Sequence, residues 1–280
     1  MEQVKEIKGA EFRRMQLLQL DMLSELDRVC RKHNIMYVIS CGTLLGAVRH
    51  KGYIPWDDDA DICMLREDYE KFKSVANEMN ASICFFQDHT TDPEYMWAYG
   101  KLRRTGTRFI RVGQEHIKCR TGVSIDVFPL DDAPLTIPGQ MLQDFDCFLL
   151  RKILWAKVAK KNASGFQRII YNILSIIPKE YVYNRVYGYA KKSSDHTPNR
   201  VRLLLFPSFG KLYLRTNPLT TRYCMPKKWF LERDEYEFEG LKLWGTKDYD
   251  AFLKYMYDDY MTLPPENKRE PHAPVSDYEF

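Results

Sequence analysis

The sequence lacks several of the features by which a protein class is recognised at once. Its seven cysteines are an odd number and include no Cys-x-x-Cys pair, a pattern typical of neither a disulfide framework nor a zinc site. The opening residues, MEQVKEIKGAEF, contain no apolar core of the kind that a signal peptide needs. The uncharged stretch at 169–178 has ten residues, whereas a bilayer-spanning helix needs about twenty. We therefore expect a cytoplasmic protein with reduced, buried thiols and no transmembrane segment.

The chain also has little net charge, +4 over 280 residues, but that charge is unevenly distributed. Residues 151–202 contain twelve Lys and Arg against two Asp and Glu, a local charge of +10 that leaves −6 elsewhere. This region is also apolar and rich in tyrosine. Its composition fits peripheral contact with an anionic membrane surface, an anionic acceptor, or a helical subdomain with a solvated basic face. It contains no nucleic-acid-binding motif, so we expect no nucleic acid partner.

The densest group of chemically active residues is GTLLGAVRHKGYIPWDDDADI, at 42–62. If Ala60 and Ile62 point into a core, the alternation of a strand places Asp59 and Asp61 together on the opposite face. Two residues of strand span roughly 6.6 Å, so both carboxylates can reach one ion. Mg²⁺ prefers oxygen ligands and usually takes one or two carboxylates together with substrate phosphates. The alternative is a solvated turn over residues 57–59, since Pro and Asp are ordinary turn residues.

A strand, a small-residue turn and a helix start precede this acidic segment. The apolar run at 38–41 predicts a strand, and Gly42 and Thr43 open a short helix that extends through Val48. Free N–H groups and the helix dipole at such a helix start attract phosphate. We therefore interpret Gly42 and Thr43 as a phosphate-binding turn next to a metal site, an arrangement suited to nucleotide chemistry.

A third carboxylate and two groups of cations complete the predicted site. Asp126 is the one acid inside the apolar strand at 123–130, where an unpaired charge is unfavourable unless a metal or partner neutralises it. Arg49 lies between the glycine turn and the acidic segment, while Lys101 and Arg103 alternate on one face of a later strand. Cations placed there would offset charge on phosphates. The alternative is that they are solvated charges at a strand edge.

Periodicity predicts the wider architecture. Apolar spacing predicts a buried helix over 11–33. Further helices are predicted at 43–50, 66–79, 141–161, 165–177, 179–192 and 248–260, and strands at 36–41, 59–62, 83–87, 96–103, 109–112 and 123–130. This alternation predicts an α+β fold with a mixed sheet flanked by helices. We divide the chain into a core at 1–135, a basic helical insert at 136–222, and a segment at 223–280 that packs back on the core.

Four motifs resemble those of the LicD family of phosphotransferases, relatives of fukutin and fukutin-related protein. They are the segment at 42–62, KLRRTGT at 101–107, SIDVFPLD at 124–131 and YDDYMTLPP at 257–265. The resemblance implies the nucleotidyltransferase fold, with Asp59, Asp61 and Asp126 as catalytic and metal-binding residues. It also adds His272, because the family often has a histidine in this region. One departure is Asp258, which stands where a glycine is expected after the tyrosine.

The resemblance also implies an activity. A CDP-linked donor such as CDP-choline would supply phosphocholine, or a similar small alcohol phosphate, to a hydroxyl of a glycan or lipid-linked glycan, with CMP leaving. Candidate acceptors are precursors of lipopolysaccharide or teichoic acid. Mg²⁺ is the expected cofactor, with Mn²⁺ as the alternative, and either Asp126 or Asp57 is the candidate base. The competing functions are a nucleotidyltransferase that attaches the nucleoside monophosphate itself, and a non-enzymatic metal-binding module.

Overall fold

The computed structural model describes residues 4–193, 199–205, 224–271 and 274–280. Within these residues the chain forms two compact units. The first is built from Met1–Tyr95, Tyr99–Phe128 and Trp229–Phe280, and the second from Met96–Ala98 and Pro129–Lys228. The predicted site residue His272 lies outside the described residues.

The helices and strands have the following bounds. The helices are α1 (Gly9–Lys32), α2 (Cys41–His50), α3 (Arg66–Val75), α4 (Ile137–Asn162), α5 (Gly165–Leu174), α6 (Lys179–Ser193), α7 (Lys228–Leu231) and α8 (Tyr249–Tyr257). The strands are β1 (Val38–Ile39), β2 (Asp61–Leu65), β3 (Cys84–Gln87), β4 (Gly100–Arg104), β5 (Arg108–Arg111), β6 (Ser124–Asp132), β7 (Arg200–Arg202), β8 (Met225–Pro226), β9 (Arg233–Phe238), β10 (Leu241–Thr246) and β11 (Val275–Glu279). Short 3₁₀ turns lie at Ala76–Glu78 and Glu266–Lys268.

The central sheet has the strand order β3-β4-β6-β2-β1-β10-β9. Strands β3 and β4, β4 and β6, β1 and β2, and β9 and β10 pair antiparallel, whereas β1 and β10 pair parallel. Strands β5 and β11 form a separate antiparallel pair. The predicted α+β class with a mixed, helix-flanked sheet is therefore confirmed.

Helix α1 is the main buried helix of the first unit. Met15, Met22, Leu26 and Val29 follow helical spacing and are each at most 1% exposed, which confirms the predicted apolar face. Burying such a side chain stabilises the fold by about 1.5–3 kcal/mol. This burial fixes α1 in place, and with it the polar side chains that it presents to the neighbouring acidic loop.

Several predicted boundaries differ from the structure. Helix α2 begins at Cys41, two residues before the predicted start at 43, so Gly42 and Thr43 both lie inside its first turn. Strand β2 begins at Asp61, so Asp59 precedes the strand, although Ala60 and Ile62 are fully buried as predicted. Residues 96–99 are not a strand, and β4 begins only at Gly100. All seven cysteines are free thiols.

The second unit contains the helices predicted from the breakers at Gly165 and Pro178. Its core joins α4 and α6 to the segment that follows β7, through Cys147, Leu150, Leu154, Val182, Val186, Leu204 and Leu205. Arg202 of β7 donates to the fully buried carboxylate of Asp144 on α4, so that neither charge is left uncompensated. Among the helices described, none is both long and apolar enough to cross a bilayer.

Candidate active site

The start of α2 is shaped by a close approach between Gly42 and an acidic side chain. A Cβ added at Gly42 would lie 2.4 Å from Oδ2 of Asp57, so only glycine leaves room for that carboxylate. The left-handed backbone at this turn belongs instead to Cys41, whose φ is 47°. Thr43, the next residue, accepts a hydrogen bond of 2.8 Å at its hydroxyl from the backbone N–H of Asp61. The turn thus contacts both ends of the acidic segment.

The acidic loop before β2 is held from beneath by two glutamines of α1. Gln16 donates to the backbone carbonyl of Asp57 at 3.1 Å, and Gln19 donates to that of Asp58 at 2.9 Å. Asp57 and Asp58 are only 4% and 5% exposed. Asp57 and Asp58 are therefore not solvated, whereas Asp59 is partly exposed. Buried carboxylates are unfavourable unless something compensates their charge.

The carboxylates of this loop converge. One side-chain oxygen from each of Asp57, Asp58 and Asp59 lies within 4.8 Å of the other two. Burial raises the pKa of Asp61 well above its usual value, and the negative charges of Asp59, Asp126 and Asp57 raise it further. Asp126 comes from β6, and its backbone N–H bonds to the carbonyl of Ala60 at 2.9 Å. Asp59 and Asp126 are therefore close enough to Asp61 to influence its charge, but the carboxylates whose oxygens lie within 4.8 Å of one another are those of Asp57, Asp58 and Asp59, a group that includes neither Asp61 nor Asp126.

The residues present fit a hard divalent cation. Several carboxylates that repel one another in a partly buried site are stabilised by a cation, and Mg²⁺ and Mn²⁺ prefer such oxygen ligands. No cysteine or histidine belongs to the acidic group found within the described residues. The donor set therefore suits an oxygen-seeking ion rather than zinc.

Lys101 lies beside the third carboxylate. It pairs with Asp126 in the register of β4 and β6, and its ammonium donates to the Asp126 carboxylate. Burial holds the pKa of Lys101 below its ordinary value; Asp126 opposes that shift, while Arg103 and Arg111 add to it. Arg103 donates to the side chain of Gln87 at 2.7 Å and to the Gly122 carbonyl at 2.8 Å. Lys101, Arg103 and Arg111 therefore form a cationic group beside Asp126. We call the carboxylates of this region, Asp57, Asp58, Asp59, Asp61 and Asp126, the acidic cluster.

The tyrosine of the YDDYMTLPP motif faces the cluster from α8. Burial raises the pKa of the Tyr257 hydroxyl well above its usual value. Nearby acidic groups raise it further, namely Cys41, Asp61, Asp57 and Asp59. Tyr257 is nevertheless 37% exposed. Asp258, which departs from the family pattern, has φ of 58° and ψ of −109°, a conformation that glycine adopts with less strain.

A second cationic group lies at the C-terminal end of α2. Arg49 donates to the backbone carbonyl of Tyr260 at 2.7 Å. Burial lowers the pKa of Arg49; Tyr257 opposes the shift, and Arg269 lowers it further. The guanidinium of Arg269 lies 5.3 Å from the centroid of the Trp56 ring. Arg49 and Arg269 therefore form a positive group near Tyr257, beside an aromatic ring.

Four of these residues were missed by the sequence prediction. Asp58 had no feature in the sequence that distinguished it from Asp57 and Asp59. The position of Arg111 depends on the pairing of β5 with β11, which joins residues far apart in sequence. Tyr257 belongs to a motif quoted above, so it could have been selected. Arg269 follows that motif in a proline-rich segment, with no local pattern to mark it.

A helix start packed against a buried acidic loop, with a third carboxylate and a lysine on adjacent strands, is the architecture of a nucleotidyltransferase-type domain. Residues 34–147 match the family model described as LicD/FKTN/FKRP, nucleotidyltransferase domain. The lipopolysaccharide cholinephosphotransferase LicD of Haemophilus influenzae is 28% identical over 284 aligned residues, which cover 95% of this chain and 97% of that protein. The family match therefore covers the segment that carries the acidic loop, and the similarity to one LicD protein extends over nearly the whole chain.

Two shorter similarities involve uncharacterised rickettsial proteins. RT0683 of Rickettsia typhi is 44% identical over 73 residues, 26% of this chain and 23% of that protein. RP689 of Rickettsia prowazekii is 46% identical over 67 residues, 24% of each chain. Because these similarities cover about a quarter of each protein, they add nothing about the activity of the whole chain.

Proposed function

We propose that this protein transfers phosphocholine, or a similar small alcohol phosphate, from a CDP-linked donor to a hydroxyl of a cell-surface glycan precursor. The proposal is supported by a buried acidic loop in which Asp59 and Asp126 influence Asp61 and Lys101 donates to Asp126, in a chain similar over nearly its whole length to a lipopolysaccharide cholinephosphotransferase. That relative favours a lipopolysaccharide-type acceptor over teichoic acid. The reaction would take place in the cytoplasm or at the inner face of the membrane.

The acidic cluster would hold the cofactor. Asp59, Asp61 and Asp126 are the proposed ligands of Mg²⁺, which Mn²⁺ could replace. When bound, such an ion neutralises charge on the diphosphate of the donor. Gly42 and Thr43 would receive a phosphate at the first N–H groups of α2, which have no partner within the helix. The proposed contacts to the nucleotide are the aromatic ring of Trp56 and the guanidinium groups of Arg49 and Arg269.

The transfer forms one bond and breaks one. The acceptor oxygen bonds to the phosphorus of phosphocholine, while the bond from that phosphorus to the bridging oxygen breaks and its electron pair leaves with CMP. The acceptor proton passes to a carboxylate of the acidic cluster. Lys101, Arg103 and Arg111 offset the charge that develops on the departing CMP, since such charge is best stabilised by groups already in place.

A thermal-shift panel tests the donor class. With Mg²⁺ present, we expect CDP-choline, CDP-ethanolamine, CDP-glycerol or CDP-ribitol to stabilise the protein, while UDP-glucose does not. A ligand at a hundred times its Kd stabilises the native state by about 2.7 kcal/mol. In a chain of this size that corresponds to a rise in Tm of about 5–10 °C. The absence of a shift with every CDP-linked compound would refute the proposed donor.

Product analysis separates the two enzymatic alternatives. With donor labelled in its cytidine moiety, phosphocholine transfer releases labelled CMP and leaves the acceptor unlabelled. A nucleotidyltransferase would instead label the acceptor. A non-enzymatic metal-binding module would yield neither product and would show no nucleotide-dependent shift in Tm.

Gly42→Ala tests the contact between α2 and Asp57. The added Cβ would displace the Asp57 carboxylate, and a misplacement of about 1 Å near reacting groups can lower the rate about a hundredfold. We expect kcat/KM for transfer to fall by about 10- to 100-fold. The change in Tm should be small, because the displaced atom is the end of a side chain rather than backbone.

Gly188→Ala on α6 is the matched control, since a Cβ there meets nothing within 4 Å. It should leave kcat/KM unchanged. If Gly42→Ala also kept the wild-type kcat/KM, the position of Asp57 would not matter for transfer.

A further inference from the structure

Helix α5 of the second unit is apolar but none of its residues is buried. Phe166 is 75% exposed, Ile169 56% and Ile173 61%, and Ile176 just beyond the helix is 78% exposed. Large apolar side chains exposed singly are ordinary, but several in one short segment indicate a surface used for contact.

These side chains occupy one face of α5. Phe166, Ile169 and Ile173, with the less exposed Ile170, follow the spacing of three and four residues that places side chains on the same side of a helix. Tyr171 and Leu174, on another side, are only partly exposed. The exposed apolar face is therefore distinct from the more enclosed side of the helix.

The surroundings of this face are strongly basic. Residues 151–191 contain nine Lys and Arg and a single acid, Glu180. Lys157, Lys161 and Arg168, which lie on α4 and α5 close to the apolar residues in sequence, are exposed. An apolar face beside a positive one suits the boundary between the acyl chains and anionic headgroups of a membrane, where each nearby cation adds about 1 kcal/mol.

We infer that α5 is an in-plane membrane anchor, whose apolar face enters the surface of a bilayer rich in anionic phospholipid. A ten-residue helix is about 15 Å long, half the thickness of the hydrocarbon core, so it lies along the surface and does not cross it. The inference deepens the membrane contact of the proposed function, but it depends only on the second unit.

A second copy of the chain is the competing occupant of this face. A symmetric dimer through α5 would bring two identical basic surfaces together, and like charges oppose such an association. An anionic bilayer instead compensates the same charges. The distribution of charge therefore favours lipid over self-association.

Sedimentation with lipid vesicles tests the inference without any measurement of turnover. We expect the full chain to bind vesicles of phosphatidylcholine containing about one third phosphatidylglycerol, and to bind pure phosphatidylcholine far more weakly. Binding should weaken as salt increases. The double variant Phe166→Ser/Ile173→Ser should lower the partition coefficient at least about tenfold, because it removes two apolar side chains from the inserted face.

Leu17→Ser on α1 is the control, since Leu17 is a 44% exposed leucine of the first unit, and it should bind vesicles like the wild type. Hydrogen exchange should show protection of the α5 backbone by anionic vesicles alone. Equal binding by the double variant and the wild type, or no binding at low salt, would overturn the inference. So would a lipid-independent dimer that the double variant abolishes. In each case the transfer reaction could still be measured with a soluble acceptor.

Discussion

Replacing Asp61 by asparagine is expected to reduce turnover about a thousandfold while the protein stays folded. The carboxylate lies among the charges of Asp59, Asp126 and Asp57, where it is a proposed ligand of the divalent ion. An ion that stabilises the transferring phosphate contributes several kcal/mol, and about 4 kcal/mol corresponds to a factor of 10³ in rate. Measurement of kcat with saturating donor and Mg²⁺ tests this prediction, and turnover near the wild-type value would remove Asp61 from the site.

The same variant should have the opposite effect on stability when divalent ions are absent. Asparagine keeps the shape of the side chain but removes one of several negative charges that repel one another. We expect Asp61→Asn to raise Tm by about 2–4 °C in EDTA, which corresponds to about 1 kcal/mol. Added Mg²⁺ should then stabilise the wild type more than the variant, since binding to the native state raises its apparent stability.

Asp68→Asn is the matched control for both measurements. Asp68 lies on α3, and burial raises its pKa as it does that of Asp61, but its hydrogen bond goes to the backbone at Met36. Neutralising this carboxylate should leave kcat and the response to Mg²⁺ unchanged. A comparable loss of activity in Asp68→Asn would mean that any buried negative charge, rather than the acidic cluster, is required.

Replacing Lys101 by glutamine is expected to lower kcat/KM about 10²- to 10³-fold. Lys101 and Asp126 have side chains that are 12% and 17% exposed, and the pair adjoins Arg103 and Arg111. Removing one preorganised group that stabilises developing charge lowers rates by about this factor. Glutamine can still donate a hydrogen bond to Asp126, so the fold should persist. Steady-state kinetics together with a thermal melt test this prediction.

Lys73→Gln is the control for the loss of a partly buried ion pair. Lys73 pairs with Asp88 at 2.7 Å, and the two side chains are 16% and 2% exposed, so burial resembles that of the Lys101 pair. We expect Lys73→Gln to lower Tm because it leaves Asp88 without its cation, while kcat/KM keeps its wild-type value below the transition. If the two variants lost activity equally, the effect of Lys101 would be one of stability rather than of chemistry.

Local sequence patterns were sufficient for the parts of the fold that depend on neighbouring residues. The periodicity of α1 and the breakers at Gly165 and Pro178 gave four helices with nearly correct bounds. The acid inside the apolar strand at 123–130 indicated that Asp126 needs a partner, and Lys101 is one. The prediction placed Asp59 and Asp61 on one side of the chain, and the burial of Ala60 and Ile62 agrees with it.

Contacts between distant residues could not be predicted in the same way. No local signal joins Ile39 to Gly245, or Arg111 to Val275, because each pairing is decided by the packing of the whole unit. The β9 and β10 hairpin is a different case. Its two turn residues, Glu239 and Gly240, both have positive φ, as a two-residue hairpin turn requires. Glycine is a turn signal, but Glu-Gly is not one of the usual hairpin pairs, so the sequence indicated this hairpin only weakly.

The parallel pairing of β1 with β10 affects how the polypeptide folds as it is synthesised. Ile39 emerges from the ribosome roughly 200 residues before Gly245, its partner, a delay of about 10–40 s at 5–20 residues per second. Throughout that interval β1 lacks its neighbour on one side, and α2 lacks the strand whose Gly245 lies against Leu44. Chaperones that cover exposed strand edges would therefore act on this nascent chain mainly before residue 246 is made, and premature termination upstream of β10 would yield aggregating fragments.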